Sequence, residues 1–114
     1  MVTIYGIKNC DTMKKARHYL DNNGVAYTFH DYRTDGVPET DLESWIAELG
    51  TDALINRRGT TWRKLPDTLK ESLTDKSAVR LMCETPAVIK RPLLDLGDRR
   101  ILGFKSSEYD SLFT

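Results

Sequence analysis

The chain has 114 residues, of which 39% are hydrophobic and 30% charged, a size that suits one domain with a modest core and a composition that excludes a disordered chain. Lys and Arg number 17, as do Asp and Glu, so no overall positive field draws the molecule onto nucleic acid or an acidic membrane. Any anion site must therefore be local, and neither direct nucleic-acid binding nor membrane association is expected.

Val2-Thr3-Ile4-Tyr5 reads as a short strand closed by Gly6. It has neither the basic start nor the long apolar run of a signal peptide, and no segment approaches the ~20 apolar residues of a membrane-spanning helix. A cytoplasmic location is the expectation. After a polar loop, Met13, Ala16 and Leu20 recur at helical spacing within Asp11 to Asn22, and Asn22-Asn23-Gly24 supplies the stop. Val25 to Phe29 reads as a second strand, parallel to the first because a helix joins them.

Past the turn-rich Thr34 to Pro38, the residues Leu42, Trp45, Ile46 and Leu49 predict a helix ended by Gly50. Thr40 and Glu43 could form a capping box at its start, with Pro38 competing as the first helical residue. Asn56 to Thr60 is a polar loop. Two short helices follow, from about Pro66 to Leu73 and from Lys76 to Glu84, the second capped by Asp75 with Val79, Met82 and Cys83 on one face. Ala87-Val88-Ile89, Leu93 to Leu96 and Arg100 to Leu102 are short apolar runs. Gly97-Asp98 between the last two signals a hairpin. Ser106 or Ser107 would cap a final helix facing inward through Tyr109, Leu112 and Phe113. The order implies an α/β domain spanning 1–114, with a mixed four-stranded sheet, flanking helices and a helical insertion over about 38–85.

Two cysteines far apart in sequence and only two histidines make a metal centre an unpromising reading. Cys10 is different. It precedes a helix, where unpaired backbone N–H groups and the helix dipole favour an anion, and Lys8 and Lys14 add positive charge. A thiol reacts as its thiolate, so this is where a working cysteine belongs. Cys83 could resolve a mixed disulfide, but on an apolar helix face it reads more simply as a small core residue. His18 and His30 have no companions that would make a triad, and Trp62 beside Arg58, Arg63 and Lys64 reads as core or rim packing.

The run Ile4-Tyr5-Gly6-Ile7-Lys8-Asn9-Cys10-Asp11-Thr12, followed by Lys15-Ala16, resembles the N-terminus of the glutaredoxin-dependent arsenate reductase and Spx superfamily. It is most similar to the arsenate-reductase-like branch described as glutathione-dependent thiol reductases. Leu54 to Trp62 and Pro86 to Leu94 fit the same family. The resemblance implies a thioredoxin-like (glutaredoxin-like) fold, Cys10 as nucleophile, and Arg58 and Arg91 as anion-binding arginines, with Arg57 the register alternative to Arg58. Lys8 would add to the anion site. It also implies a cis bond before Pro92, no bound cofactor or metal, glutathione as cosubstrate, and glutathione or a glutaredoxin as partner. An arginine fork suits such a site, because it pairs with carboxylates and oxyanions and stabilises thiolate.

The pattern departs from the family twice. Where arsenate reductases carry a third arginine after the last hairpin, Leu102 or Gly103 stands here. Where Spx regulators carry a Cys-x-x-Cys switch, the motif reads Cys10-Asp11-Thr12-Met13, so no internal disulfide can form there. A glutathione-dependent thiol reductase is the leading expectation, with arsenate reduction and Spx-like docking on RNA polymerase as the alternatives.

Overall fold

A computed structural model describes residues 2–113 and divides into two compact units. The first comprises the chain up to Asp35 together with the chain from Arg91 onward. It contains β1 (Val2–Gly6), α1 (Asp11–Asn22), β2 (Tyr27–Asp31) and α2 (Tyr32–Asp35). After the second unit come β3 (Leu93–Asp95), β4 (Arg100–Leu102) and the terminal helix α8 (Ser106–Phe113); helices of the second unit are numbered in between.

The strands form one sheet in the order β2-β1-β3-β4. β1 runs parallel to β2, with Ile4 beside Phe29, and antiparallel to β3, with Ile4 beside Leu94. β3 and β4 are an antiparallel hairpin whose turn includes Gly97 at φ +95°, a conformation that glycine adopts without strain. A βαβ half followed by a ββα half on a mixed four-stranded sheet is the thioredoxin-like α/β arrangement.

Alternation along the strands builds the core of this unit. Ile4 and Leu94 share the face on which α1 lays Met13, Ala16 and Leu20, and Tyr109 of α8 joins them, all six fully buried. The ring of Tyr109 meets Phe104, Tyr19 and Phe113 edge to face at centroid distances of 4.7, 5.5 and 6.0 Å. Leu112 and Phe113 are half-buried against the cluster. Helix α8 begins at Ser106, so neither serine stands before it as a cap.

β2 starts at Tyr27, two residues later than the apolar pattern from Val25 suggests. The reason is the helix stop. The Val25 N–H donates to the Leu20 carbonyl at 3.0 Å while Gly24 sits at φ +66°, so Val25 closes α1 before the ladder begins.

The second unit, Gly36–Lys90, is helical. It contains α3 (Glu39–Leu49), α4 (Thr51–Leu54), α5 (Thr60–Arg63), α6 (Asp67–Glu71), α7 (Asp75–Glu84) and a 3-10 turn at Pro86–Val88. α3 buries Leu42, Trp45 and Ile46, and α7, packed against it, buries Ala78, Leu81 and Met82. Val79 and Cys83 are only half-buried, which corrects the core assignment of Cys83. The buried stripe of α7 is turned by about one residue from the expected one, because Ala78 and Leu81 take the inner positions.

The caps also differ from expectation. Pro38 is the N-cap of α3, and no side chain there accepts a capping bond. Thr74, not Asp75, caps α7, and its hydroxyl and the Ser77 side chain form a reciprocal capping box. Ala87-Val88-Ile89 is not a strand. Pro86 has no N–H and begins a 3-10 turn, after which Ile89 forms an isolated antiparallel bridge with Ile55 and the Val88 carbonyl accepts from Asn56 N–H at 2.8 Å.

Candidate functional site

Cys10 is the N-cap of α1, with extended backbone (φ −105°, ψ 130°), and its carbonyl accepts the first helical bond from Lys14 N–H at 3.0 Å. A serine or aspartate in that position would put an oxygen over the first turn. Here the atom placed there is sulfur. Partial burial by itself would push the thiol up. The Met13 N–H, a hydrogen bond and the positive charge from Arg91, and the Thr12 N–H outweigh it, and Cys10 ionises below the ordinary thiol value.

Residues before the helix hold this geometry. Met13 is fully buried beneath β1, and a Cβ added to Gly6 would lie 2.3 Å from its sulfur. Only a residue without a side chain lets the end of β1 pass so near α1. That contact ties the strand end to the helix start, with Cys10 between them.

Arg91 immediately precedes β3, and the Arg91–Pro92 peptide bond is cis. Pro92 is buried and its carbonyl accepts from Gly103 N–H at 2.9 Å, fixing the approach to the hairpin. Cys10, Arg91 and Pro92 therefore come together in one unit although eighty residues separate the thiol from the guanidinium in the chain. Lys8 and Lys14 are exposed on either side of Cys10, and the cation that contacts the sulfur is Arg91.

Arg57 and Arg58 belong to the helical unit, in the turn that follows α4. The Arg58 N–H donates to the Asn56 side-chain oxygen at 3.3 Å and its side chain is exposed. Arg57 is already engaged: its guanidinium pairs with Asp52 at 2.5 Å and lies 4.9 Å from the centroid of the Trp62 ring. Trp62 is buried beneath it as packing. Of the two neighbouring arginines, Arg58 is the one whose side chain is not drawn into that local pairing.

One group escaped the sequence reading. Tyr32 is only 2% exposed, and its hydroxyl has no hydrogen-bond partner among the described residues. Its ring stacks on Tyr5 at 6.2 Å and meets His30 edge to face at 6.2 Å. Burial pushes its ionisation far above the ordinary tyrosine value, with the Tyr5 hydroxyl adding to this and the Arg91 charge opposing it. The available signal was the pairing of Tyr5 with His30 on adjacent strands, visible only once the register is known.

Among the described residues, no cluster of His, Cys, Asp and Glu could hold a metal ion, and no helix is long and apolar enough to cross a membrane.

A thioredoxin-like unit carrying one helix-capping cysteine against an arginine defines a thiol-bearing α/β protein. The ArsC family model matches residues 5–112, and the chain belongs to the ArsC family. It is similar to a protein named YFFB, at 46% identity and a TM-score of 0.94 with both chains covered in full. It is also similar to an arsenate reductase (ArsC) related protein from Brucella melitensis, at 44% identity and a TM-score of 0.79, covering 99% of this chain and 94% of that one. The global transcriptional regulator Spx of Streptococcus agalactiae is 28% identical over 110 residues, 95% of this chain and 80% of Spx.

Proposed function

We propose that the protein is a glutathione-dependent thiol-disulfide oxidoreductase that works through the single thiol of Cys10, in the reducing cytoplasm and without a bound cofactor. The observation that carries this reading is the position of Cys10 as the N-cap residue of α1, its thiol beside the backbone N–H groups of Thr12 and Met13 and the Arg91 guanidinium, surroundings that lower its ionisation. In the first step the Cys10 thiolate attacks one sulfur of a glutathione mixed disulfide. A Cys10–glutathione disulfide forms, and the substrate leaves as its thiolate and takes up a proton. In the second step the thiolate of free glutathione, or of a glutaredoxin, attacks the glutathione sulfur of that disulfide. Oxidised glutathione or the glutaredoxin mixed disulfide departs, and the Cys10 thiolate returns.

Met13 stands where a second cysteine would have to be, which leaves resolution to an external thiol. Arg91 favours the thiolate of Cys10 and, with Lys8, would meet the carboxylates of glutathione. The helical unit Gly36–Lys90 is read as an insertion in one thioredoxin-like domain. The test is reduction of a glutathionylated peptide, coupled to glutathione oxidation, by native protein and Cys10→Ser. Loss of activity in the variant is expected, and equal activity of the two overturns the reading.

Two other readings each have one supporting observation. Similarity to the Brucella ArsC-related protein favours attack of the same thiolate on arsenate, although Leu102 or Gly103 replaces the family's third arginine. Arsenate-dependent oxidation of glutathione would establish it. Similarity to Spx favours docking on RNA polymerase, established if polymerase subunits are retained equally by native and Cys10→Ser protein.

A further inference from the structure

In the helical unit, α3 and α7 leave a groove of about 660 Å³ between them, within the usual range of binding clefts. Its middle is apolar, formed by Ile46, Ala47 and Val79, while Cys83 lies at one end. Around Cys83 stand Glu39, Glu43 and Glu84. Because residues at the start of α3 act on one at the end of α7, the two helices run antiparallel. None of the three carboxylates is in an ion pair among the described residues. Two cations, Lys76 and Arg80, also line the groove, together with Asp75, whose carboxylate accepts from the Thr51 hydroxyl at 2.8 Å.

We infer that this groove docks a basic amphipathic helix of a partner protein, its apolar stripe on Ala47 and Val79 above the buried Ile46 and its cations on Glu39, Glu43 and Glu84. Charge complementarity selects the occupant, since four carboxylates line the groove against two cations, Lys76 and Arg80, and this net negative charge disfavours an acidic segment. The shape selects a helix. A trough between antiparallel helices seats a third in the manner of helix-in-groove recognition, and the ~12 Å from Glu39 to Ala47 accommodates about two turns. Nothing in this inference depends on the Cys10 chemistry, and the two fail separately.

The experiment uses the full chain carrying Cys10→Ser, so that Cys83 is its only thiol. The probe is a fluorescent amphipathic peptide of about 15 residues with leucines at helical spacing and lysines elsewhere, with a Leu/Glu peptide of the same pattern as control. Saturable binding of the Leu/Lys peptide is expected, weakened at least about tenfold by Glu43→Lys with Glu84→Lys, and bound peptide should protect Cys83 from alkylation. Circular dichroism verifies that the variants fold, and Glu43→Gln with Glu84→Gln replaces any that does not. The inference is overturned if no saturable binding occurs, if the Leu/Glu peptide binds equally, or if the charge variants bind unchanged. Binding of decylamine without the peptide, or a dimer of this chain that Glu43→Lys disrupts, would assign the groove to another occupant and overturn it as well.

Discussion

The two cysteines of this chain are both half-buried, yet their surroundings push them in opposite directions. Partial burial raises both thiols. At Cys10 it is outweighed by the N–H groups of Met13 and Thr12 and by Arg91, whereas at Cys83 the carboxylates of Glu39, Glu43 and Glu84 add to it. Cys10 stands at the start of a helix and Cys83 near the end of another, so the backbone offers donors to the first and carbonyls to the second. Exposure therefore does not tell a readily ionised thiol from a reluctant one. The sign of the surrounding charge does.

The widest separation between the two should appear in catalysis. Cys10→Ser should reduce glutathione-linked disulfide reduction to background, while Cys83→Ser leaves it near the native rate; a rate assay on both variants measures the contrast.

Next in size is reactivity. At neutral pH iodoacetamide should modify Cys10 at least about tenfold faster than Cys83, because thiolate fraction sets the rate. A pH series followed by mass spectrometry should place the Cys10 midpoint below and the Cys83 midpoint above ~8.5. Arg91→Met should move the Cys10 midpoint upward and leave Cys83 unchanged, narrowing the gap from one side.

The same shifts bear on stability with opposite signs. A depressed thiol stabilises the fold above its unfolded value and loses that contribution as pH falls through the folded value. A raised thiol destabilises the fold once pH exceeds the unfolded value, since the unfolded chain then ionises more readily. Urea titrations above pH ~8.5 should accordingly show Cys83→Ala gaining stability relative to native, and Cys10→Ala losing it.

Two structural substitutions sharpen the comparison between the units. Gly6→Ala should destabilise the thioredoxin-like unit by about 1–3 kcal/mol, since the added methyl overlaps the fully buried Met13 side chain and forces it to shift, and should slow Cys10 alkylation by disturbing the loop. Thr74→Ala should cost about 1 kcal/mol through loss of the α7 capping box without altering Cys10. Denaturant midpoints for both variants verify the order.

Much of the thiol site was legible because its parts are local. Apolar residues at 13, 16 and 20 define α1, and a cysteine immediately before that run is a helix-capping thiol whatever else the chain does. The start of β2 was misplaced because Val25 satisfies a strand pattern and a helix-closing bond equally well, and only the hydrogen bond to Leu20 decides between them. Cys83 was misread for a related reason. Helical spacing locates a stripe to within about one residue, and on α7 that residue separates a core position from a groove wall.

Local pattern by itself determined the helix that carries the thiol, the strand-helix-strand opening, the closing hairpin and the absence of a second cysteine, whose place Met13 takes. These rest on period, turn residues and residue identity, which act over a few positions of the chain. Only the tertiary structure decided that Arg91 reaches the Cys10 sulfur, that Arg57 is drawn onto Trp62 and Asp52, and that three carboxylates gather around Cys83. Charges act through space, and how near they lie is set by strand register and helix packing, which no run of neighbouring residues encodes.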